Sequence, residues 1–499
     1  SFIQRFELGS RSEYGSVSLY CGSLAVIGCI AYMLCKKIDR NKKILHSILI
    51  VFVLSLFYIP VFVWGFSLLK VVGSYWYRYS YIGIITLIVI AAEFFSVKDQ
   101  ETNTRALMWK ATAVAVLVLF FMEYVKPLGK PFNVYMTVLA FIATMLFTDI
   151  LFWTKRVSVK RIVIFLMAVT VSTELVYNAK LIMTLDGGVE HFTQYAEDEM
   201  KLIGQLQQQD GGFYRINQTS TRDVDGNKLT ANYNEGIAYN YKSISGYTSD
   251  PDRNQLLFMK QMGYAICGDV MNVVNTSVLG ADSILGVKYV LSSYDIPRLK
   301  KLENIEPGNG KSVYYNPYAL PVAFTYESSN MLPDSEEKDE FLYQNQLFSY
   351  LSGQNVQVNK RIEAEPKADS NTVGYDVKHM DDPVYGYFNM KDKDGGKVYV
   401  DDQYVTLYNT WLCPRVVYIP QQPDAPSTHV HIDGDNMENR VESACFYYTD
   451  LNELEKVTQK IQDRREDGLL IQDGSITGTV KNPQNLDRLY LSVPYDKGW

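Results

Sequence analysis

The sequence predicts a multi-pass α-helical membrane domain joined to a water-facing region of α/β and β-sandwich-like character. Three observations carry that prediction. Charge divides near residue 184: the first part holds 19 Lys and Arg against 9 Asp and Glu, net +10, whereas the rest of the 499 residues holds 29 against 46, net −17. Six apolar stretches in the basic part approach the ~20 residues that a helix needs to cross a hydrocarbon core about 30 Å thick. Beyond residue 185 the pattern changes to helical periods alternating with short strands, and from residue 355 to short runs punctuated by Gly, Asp and Asn. A single uniform globule is excluded by this division.

Residues 1–13 read as an outer segment, and residues 14–184 as the membrane domain. Its six spans are predicted at 14–35, 44–64, 80–97, 111–125, 132–153 and 162–183. The fourth is short and needs either tilt or its flanks to cross. Orientation follows from the connectors. Segments 36–43, 98–110 and 154–161 carry 12 cations in 29 residues, against 7 in 51 for 1–13, 65–79, 126–131 and 179–195. The denser set is expected inside, which places residue 1 and everything after 184 outside. Trp64 and Trp76 then fall at the outer interface and Trp109 and Trp153 at the inner one, where amphipathic indole rings settle.

Ionisable side chains within spans are costly and so draw attention. Glu93 and Asp149 sit near inner ends, where snorkelling accounts for them. Glu123 is near the outer end of the fourth span, and Glu174 lies about two turns inside the sixth. Arg78, in the run Tyr75-Trp76-Tyr77-Arg78-Tyr79, is expected at outer headgroup depth. A guanidinium there can take a lipid phosphate in a bidentate fork or serve as an interfacial anchor.

Residues 185–354 read as an extracellular α/β domain and 355–499 as a β-rich one. A polar helix over 190–209 carries Phe192, Tyr195, Met200, Ile203 and Leu206 and stops at Asp210-Gly211-Gly212, before a strand at Phe213-Tyr214-Arg215-Ile216. Tyr-rich strands follow at 233–247, a helix at 254–262, a buried strand at 284–291 and a helix at 341–352. Short alternating runs then suggest a sandwich. Six Cys without any C-x-x-C pair make neither a disulfide framework nor a Cys-based zinc site. Asp223-x-Asp225-x-Asn227 and Asp250-x-Asp252-x-Asn254 lack the Gly and the twelfth-position Glu of a calcium loop, and read as solvated turns. Asp392-x-Asp394 and Asp433-x-Asp435 read as hairpin turns, and His429-Val430-His431 puts two imidazoles on one strand face without an evident third ligand. No metal site is therefore assigned. The acidic outer part has no basic stripe, so nucleic acid is excluded as a partner.

Several strings, taken in order, are familiar. Phe213-Tyr214-Arg215-Ile216, the stretch 234–249 ending in Gly246-Tyr247-Thr248-Ser249, Leu285-Gly286-Val287-Lys288-Tyr289-Val290, Tyr315-Asn316-Pro317-Tyr318-Ala319-Leu320-Pro321, Gln344-Asn345-Gln346 and Val493-Pro494-Tyr495-Asp496-Lys497-Gly498-Trp499 together resemble the YfhO family of polytopic bacterial membrane proteins. The likeness extends over nearly the whole chain and includes Tyr77-Arg78. It implies a GT-C-type glycosyltransferase of the plasma membrane, which takes a sugar from a polyprenyl-phosphate donor and places it on an envelope polymer such as teichoic acid. The resemblance also implies more than six spans, a catalytic Asp upstream of Ser1 and further chain beyond Trp499. The chain is thus expected to be truncated at both ends and inactive alone.

Under that implication Arg78, with Lys126 second, suits the donor phosphate, and Glu174 or Glu123 a supporting carboxylate role. Tyr239, Tyr241 and Tyr247 suit stacking on sugars. No cofactor is named, and a divalent cation is left open. The other reading is a non-catalytic, membrane-anchored glycan-binding or envelope-assembly protein. Single cysteines test the topology on which both rest. In intact cells a membrane-impermeant maleimide should label Ser74→Cys and spare Asn103→Cys, and the reverse pattern would invert the topology.

Overall fold

The computed structural model describes residues 19–66, 68–69, 79–97, 103–125, 131–183, 189–219, 234–248, 251–264, 266–267, 270–273, 277–329, 331–391, 396–407, 416–466, 468–472, 474–482 and 484–494. The chain forms two compact units, Ser1–Gly188 and Val189–Trp499.

The first unit is helical: α1 (Ser23–Leu34), α2 (Arg40–Tyr58), α3 (Pro60–Phe66), α4 (Ser80–Ser96), α5 (Thr104–Val125), α6 (Pro131–Trp153) and α7 (Val157–Met183). Three of these are long and apolar enough to cross a membrane, over Thr104–Phe121, Phe132–Trp153 and Val157–Lys180. The expected six spans are corrected accordingly. Gly22, at φ +90°, precedes α1 and leaves a helix of 12 residues, about 18 Å long. Pro60 splits the expected second span: Ile59 before it is extended, at φ −97° and ψ 115°, as a residue ahead of the pyrrolidine ring prefers. The α4 helix is apolar but only 17 residues long. The predicted fourth span, in contrast, lengthens at its start to give α5 its 22 residues.

Small residues let α1 and α4 approach closely, as in membrane bundles. A Cβ on Gly28 would lie 2.8 Å from that of Ala91. Around this contact Ile27, Ala31, Tyr32, Ile90, Phe94, Met108, Ala115 and Phe141 form the core. Only 11% of the α7 span is buried, and Ile162, Phe165, Val169 and Val176 are exposed. That apolar surface suits a hydrocarbon solvent.

The second unit opens with α8 (Val189–Gln209), whose Leu202, Ile203 and Leu206 pack on Tyr214, Ile216, Tyr289 and Leu291. Those partners lie in a four-stranded sheet of order β1 (Arg215–Gln218), β5 (Val287–Ser292), β7 (Ser312–Tyr315) and β6 (Lys300–Lys301), with β1 and β5 parallel. The long crossover between these two strands contains α9 (Glu235–Ala238), β2 (Gly246–Thr248), α10 (Arg253–Gln261), β3 (Ile266–Cys267), β4 (Val270–Val273) and α11 (Leu279–Ile284), and β2-β4-β3 pair into a small sheet. Strand β8 (Ala323–Tyr326) leads to α12 (Glu340–Ser352), which Asp339 caps by accepting from the Phe341 and Leu342 amides.

Two antiparallel sheets follow. One has the order β10 (Pro366–Ala368), β11 (Thr372–Lys378), β16 (Ser427–Asp433), β13 (Lys397–Val400), β14 (Gln403–Leu407); the other has the order β15 (Val417–Ile419), β12 (Val384–Met390), β17 (Val441–Thr449), β9 (Asn359–Ile362). They face each other through Tyr375, whose ring lies 6.1 Å from Phe388 and 5.2 Å from Phe446. Successive strand side chains alternate between faces, so Tyr385 and Tyr387 point away from Tyr375 and meet Phe341 of α12, which also stacks on Tyr447 at 4.7 Å. The short α13 (Met437–Arg440) closes one end, and α14 (Leu451–Gln462) packs Leu451, Leu454, Val457 and Ile461 into the same core. Strands β18 (Leu470–Gln472) and β19 (Ser475–Thr477) form a hairpin, and β20 (Arg488–Leu491) returns to pair with β8. One apolar core runs from Met259 to Ile461, through elements on both sides of residue 354.

Candidate functional site

The feature of the second unit best suited to holding a ligand is a cavity of about 860 Å³, within the range of small-molecule sites. Distant segments converge on it: Phe213 and Arg215 from β1 and its approach, 234–246 from the crossover, the start of α10, Leu285, and 490–494 after β20. Four of the strings that resemble the YfhO family therefore line one cavity.

The position of Arg215 follows from its strand. Tyr214 and Ile216 on either side are buried in the α8 core, and alternation turns Arg215 to the opposite face. There its guanidinium donates to the Leu285 carbonyl at 2.7 Å, to Ser492 Oγ at 2.6 Å and to the Ser492 carbonyl. It also lies 5.5 Å from the centre of the Phe213 ring. Burial lowers its pKa from the ordinary guanidinium value, against a smaller opposing effect of Tyr490. Arg215 remains a cation nonetheless.

The cavity's other wall hangs on two buried polar networks. In the first, Lys311 Nζ is 2.7 Å from Glu199 and donates to Gln218 Oε1 at 2.9 Å. Gln218 donates in turn to Glu235 at 2.5 Å and to Tyr241 Oη at 2.7 Å, and Tyr195 donates to Glu235 at 2.7 Å. Burial pushes the Glu199 carboxyl upward while the Lys311 ammonium pulls it down. In the second network Ser245 donates to Asn217 Oδ1 at 2.8 Å, and Asn217 donates to Asp282 at 2.9 Å. Asp282 also accepts from Ser277 at 2.6 Å and from Tyr264. Burial outweighs these three donors and raises its pKa to about 7.

Of the residues singled out in the sequence, Tyr241 lines the cavity and Tyr239 is half-buried against the α8 core. Tyr247 lies in β2 and Glu123 in α5, both with side chains outside the described residues, and Arg78 and Lys126 lie wholly outside them. Glu174 of α7 is buried and accepts from Tyr20 Oη, from the Ser23 amide at 2.7 Å and from Ser23 Oγ at 2.7 Å. It thus caps the start of α1 from another helix, using amides that the helix itself leaves unpaired. Glu93 pairs with Lys42 at 3.2 Å, and Asp149 receives Arg105 in a fork.

Asp252 caps α10. His429 bonds Asp376 at 2.9 Å, and among the described residues no cluster of three metal-ligating side chains occurs. Phe213 and Arg215 were not recognised as site residues from the sequence. The available signal was an arginine inside an otherwise buried strand.

Bilayer-compatible helices followed by a separate sheet-bearing unit with a cavity define the class, a membrane protein with a second, sheet-rich unit. The family described as "Bacterial membrane protein YfhO" matches residues 2–499, so the chain belongs to the YfhO family. No curated protein matches it. No solved structure does either.

Two outcomes follow for the networks. Folded Asp282 holds its proton to about pH 7, whereas an unfolded Asp releases it near 3.9. The stabilisation is therefore fully present below about pH 3.9 and is lost as pH rises through about 7, by up to about 1.4 kcal/mol per pH unit. Asp282→Asn, which mimics the protonated form, should flatten that slope in pulse proteolysis across urea, and parallel profiles would contradict it. By the same assay Lys311→Met should cost about 3–5 kcal/mol by stranding a buried carboxylate. Adding Glu199→Gln should recover most of the loss.

Proposed function

We propose that this chain acts in glycosyl transfer at the outer face of the bacterial plasma membrane. The donor in this reading is a polyprenyl-phosphate sugar, and the acceptor is an extracellular envelope polymer such as a teichoic acid. The supporting observation is a cavity of mixed apolar and polar lining that bears a fixed guanidinium, in a unit covalently joined to helices able to cross a bilayer. A lipid-linked donor is reached from the membrane and a polymer from water, and the chain offers surfaces of both kinds.

Inverting transfer requires a carboxylate to take the acceptor's proton and cationic groups to hold the departing phosphate. In this reading Arg78 and Lys126 serve the phosphate, and Glu174 and Glu123 support the base. Tyr239 and Tyr247 meet sugar, while Tyr241, whose ring is largely buried, holds the cavity wall through its hydroxyl. Glu174 supports by positioning, because its carboxylate already receives Tyr20 and Ser23.

That engagement also favours a second reading, in which the helices only anchor a non-catalytic glycan-binding or envelope-assembly protein. The two are separated by assaying membranes that carry the complete polypeptide containing these residues, with radiolabelled polyprenyl-phosphate sugar and glycerol-phosphate polymer. Transfer is expected, and Arg78→Lys should slow it about a hundred- to thousandfold, the effect of removing one transition-state donor. Absence of transfer would leave the anchored binding protein.

A further inference from the structure

Arg215 differs from two other cations of its unit, each of which has a carboxylate partner. Lys311 faces Glu199 at 2.7 Å and Lys288 faces Asp210 at 2.6 Å. The three acceptors of Arg215 are all neutral, two carbonyls and a hydroxyl. Among the described residues no carboxylate lies within ion-pair distance of it. A guanidinium has five N–H groups, so two remain beyond those three bonds. Arg215 is half-buried at the cavity, and an anionic ligand there would take charge-assisted hydrogen bonds from the N–H groups that remain.

The rest of the wall indicates what the anion is attached to. Asn234 and Ser245 line the cavity with amide and hydroxyl groups, and Asp252 does so with a carboxylate. That carboxylate is held by the Asn254 and Gln255 amides at 2.9 and 3.0 Å, and its second oxygen can accept from ligand hydroxyls. Phe213, 37% exposed, offers a ring beside the guanidinium. The volume, about 860 Å³, exceeds what a lone phosphate ion fills.

We propose that this cavity binds a phosphodiester-linked polyol segment, with the phosphate on Arg215 and the hydroxyls on the polar wall formed by 234–246 and Asp252. The proposal deepens the transfer reading, on which it rests for the nature of the polymer, by giving the acceptor a place in the second unit. A neutral glycan would offer the guanidinium no charged acceptor. A prenyl phosphate shares the anion but brings an apolar tail in place of hydroxyls.

Binding to the full chain in detergent is measured with a glycerol-phosphate hexamer, maltohexaose, farnesyl phosphate and inorganic phosphate. The hexamer should bind most tightly and weaken with added salt. Arg215→Gln should weaken it about ten- to a hundredfold, the range for hydrogen bonds to a charged group. Because Arg215 also ties β1 to 490–494, two further substitutions keep the test independent of folding. Ile237, 83% exposed at the cavity's edge, can change charge without repacking.

Ile237→Glu should weaken hexamer binding and Ile237→Lys tighten it, each about threefold to tenfold. The proposal is overturned if maltohexaose or inorganic phosphate binds as well as the hexamer, or if neither Ile237 substitution alters binding. Preference for farnesyl phosphate would also overturn it, assigning the site to a lipid-linked donor. Hexamer binding without sugar transfer would sustain the cavity's role and sink the transfer reading. Transfer that persists while the hexamer fails to bind would do the opposite.

Discussion

The second unit depends on one buried ammonium. Lys311 is 1% exposed and its partner Glu199 is fully buried. Through Gln218 and Tyr195 their network reaches Glu235 and Tyr241, and so joins α8, β1, the turn before β7 and the crossover segment. A buried pair adds little to stability relative to apolar packing, but removing one member strands the other. The consequence is positional. The elements in the crossover between β1 and β5 are all short, and this network, with the Ser245–Asn217–Asp282 chain, holds it against the sheet. One wall of the cavity is therefore set by charge and hydrogen bonding, and the other by strand alternation at Arg215.

The first unit answers to a different solvent. With little of α7 buried, its helices gain less from mutual apolar burial than from close approach and polar contact. Gly28 against Ala91 supplies the approach. Glu174 supplies the polar contact by closing the start of α1, while Ser23 Oγ lies 2.7 Å from Thr144 Oγ1 of α6, so that one cluster ties three helices. The charges near the ends of α4 and α6 are neutralised by Lys42 and Arg105 from the first turns of α2 and α5.

Much of the architecture was legible where local periodicity governs it. The α8 helix begins one residue before its expected start and ends where Asp210 was expected to stop it, and α12 matches within a residue. Only three of the six expected spans are supported among the described residues, because hydropathy does not register backbone breaks: Gly22 and Pro60 interrupt helices whose side chains remain apolar. The α14 helix was missed inside a β-rich region although Leu451, Leu454, Val457 and Ile461 carry its period. At the site Tyr241 was legible as an exposed-ring candidate, yet it proves largely buried, with its hydroxyl in the network. Arg215 was seen only as part of a string. Its meaning depends on Leu285 and Ser492, 70 and 277 residues away, and spacing along a chain carries no record of such neighbours.

The central claim is that the Arg215 cavity receives a phosphate-bearing polymer. An electron cryo-microscopy map of the complete polypeptide in lipid nanodiscs, with a glycerol-phosphate oligomer added, tests it most directly. The account predicts density for a phosphate against the Arg215 guanidinium, continuing along 234–246. An oligomer bound elsewhere, with this cavity filled only by solvent, would contradict it.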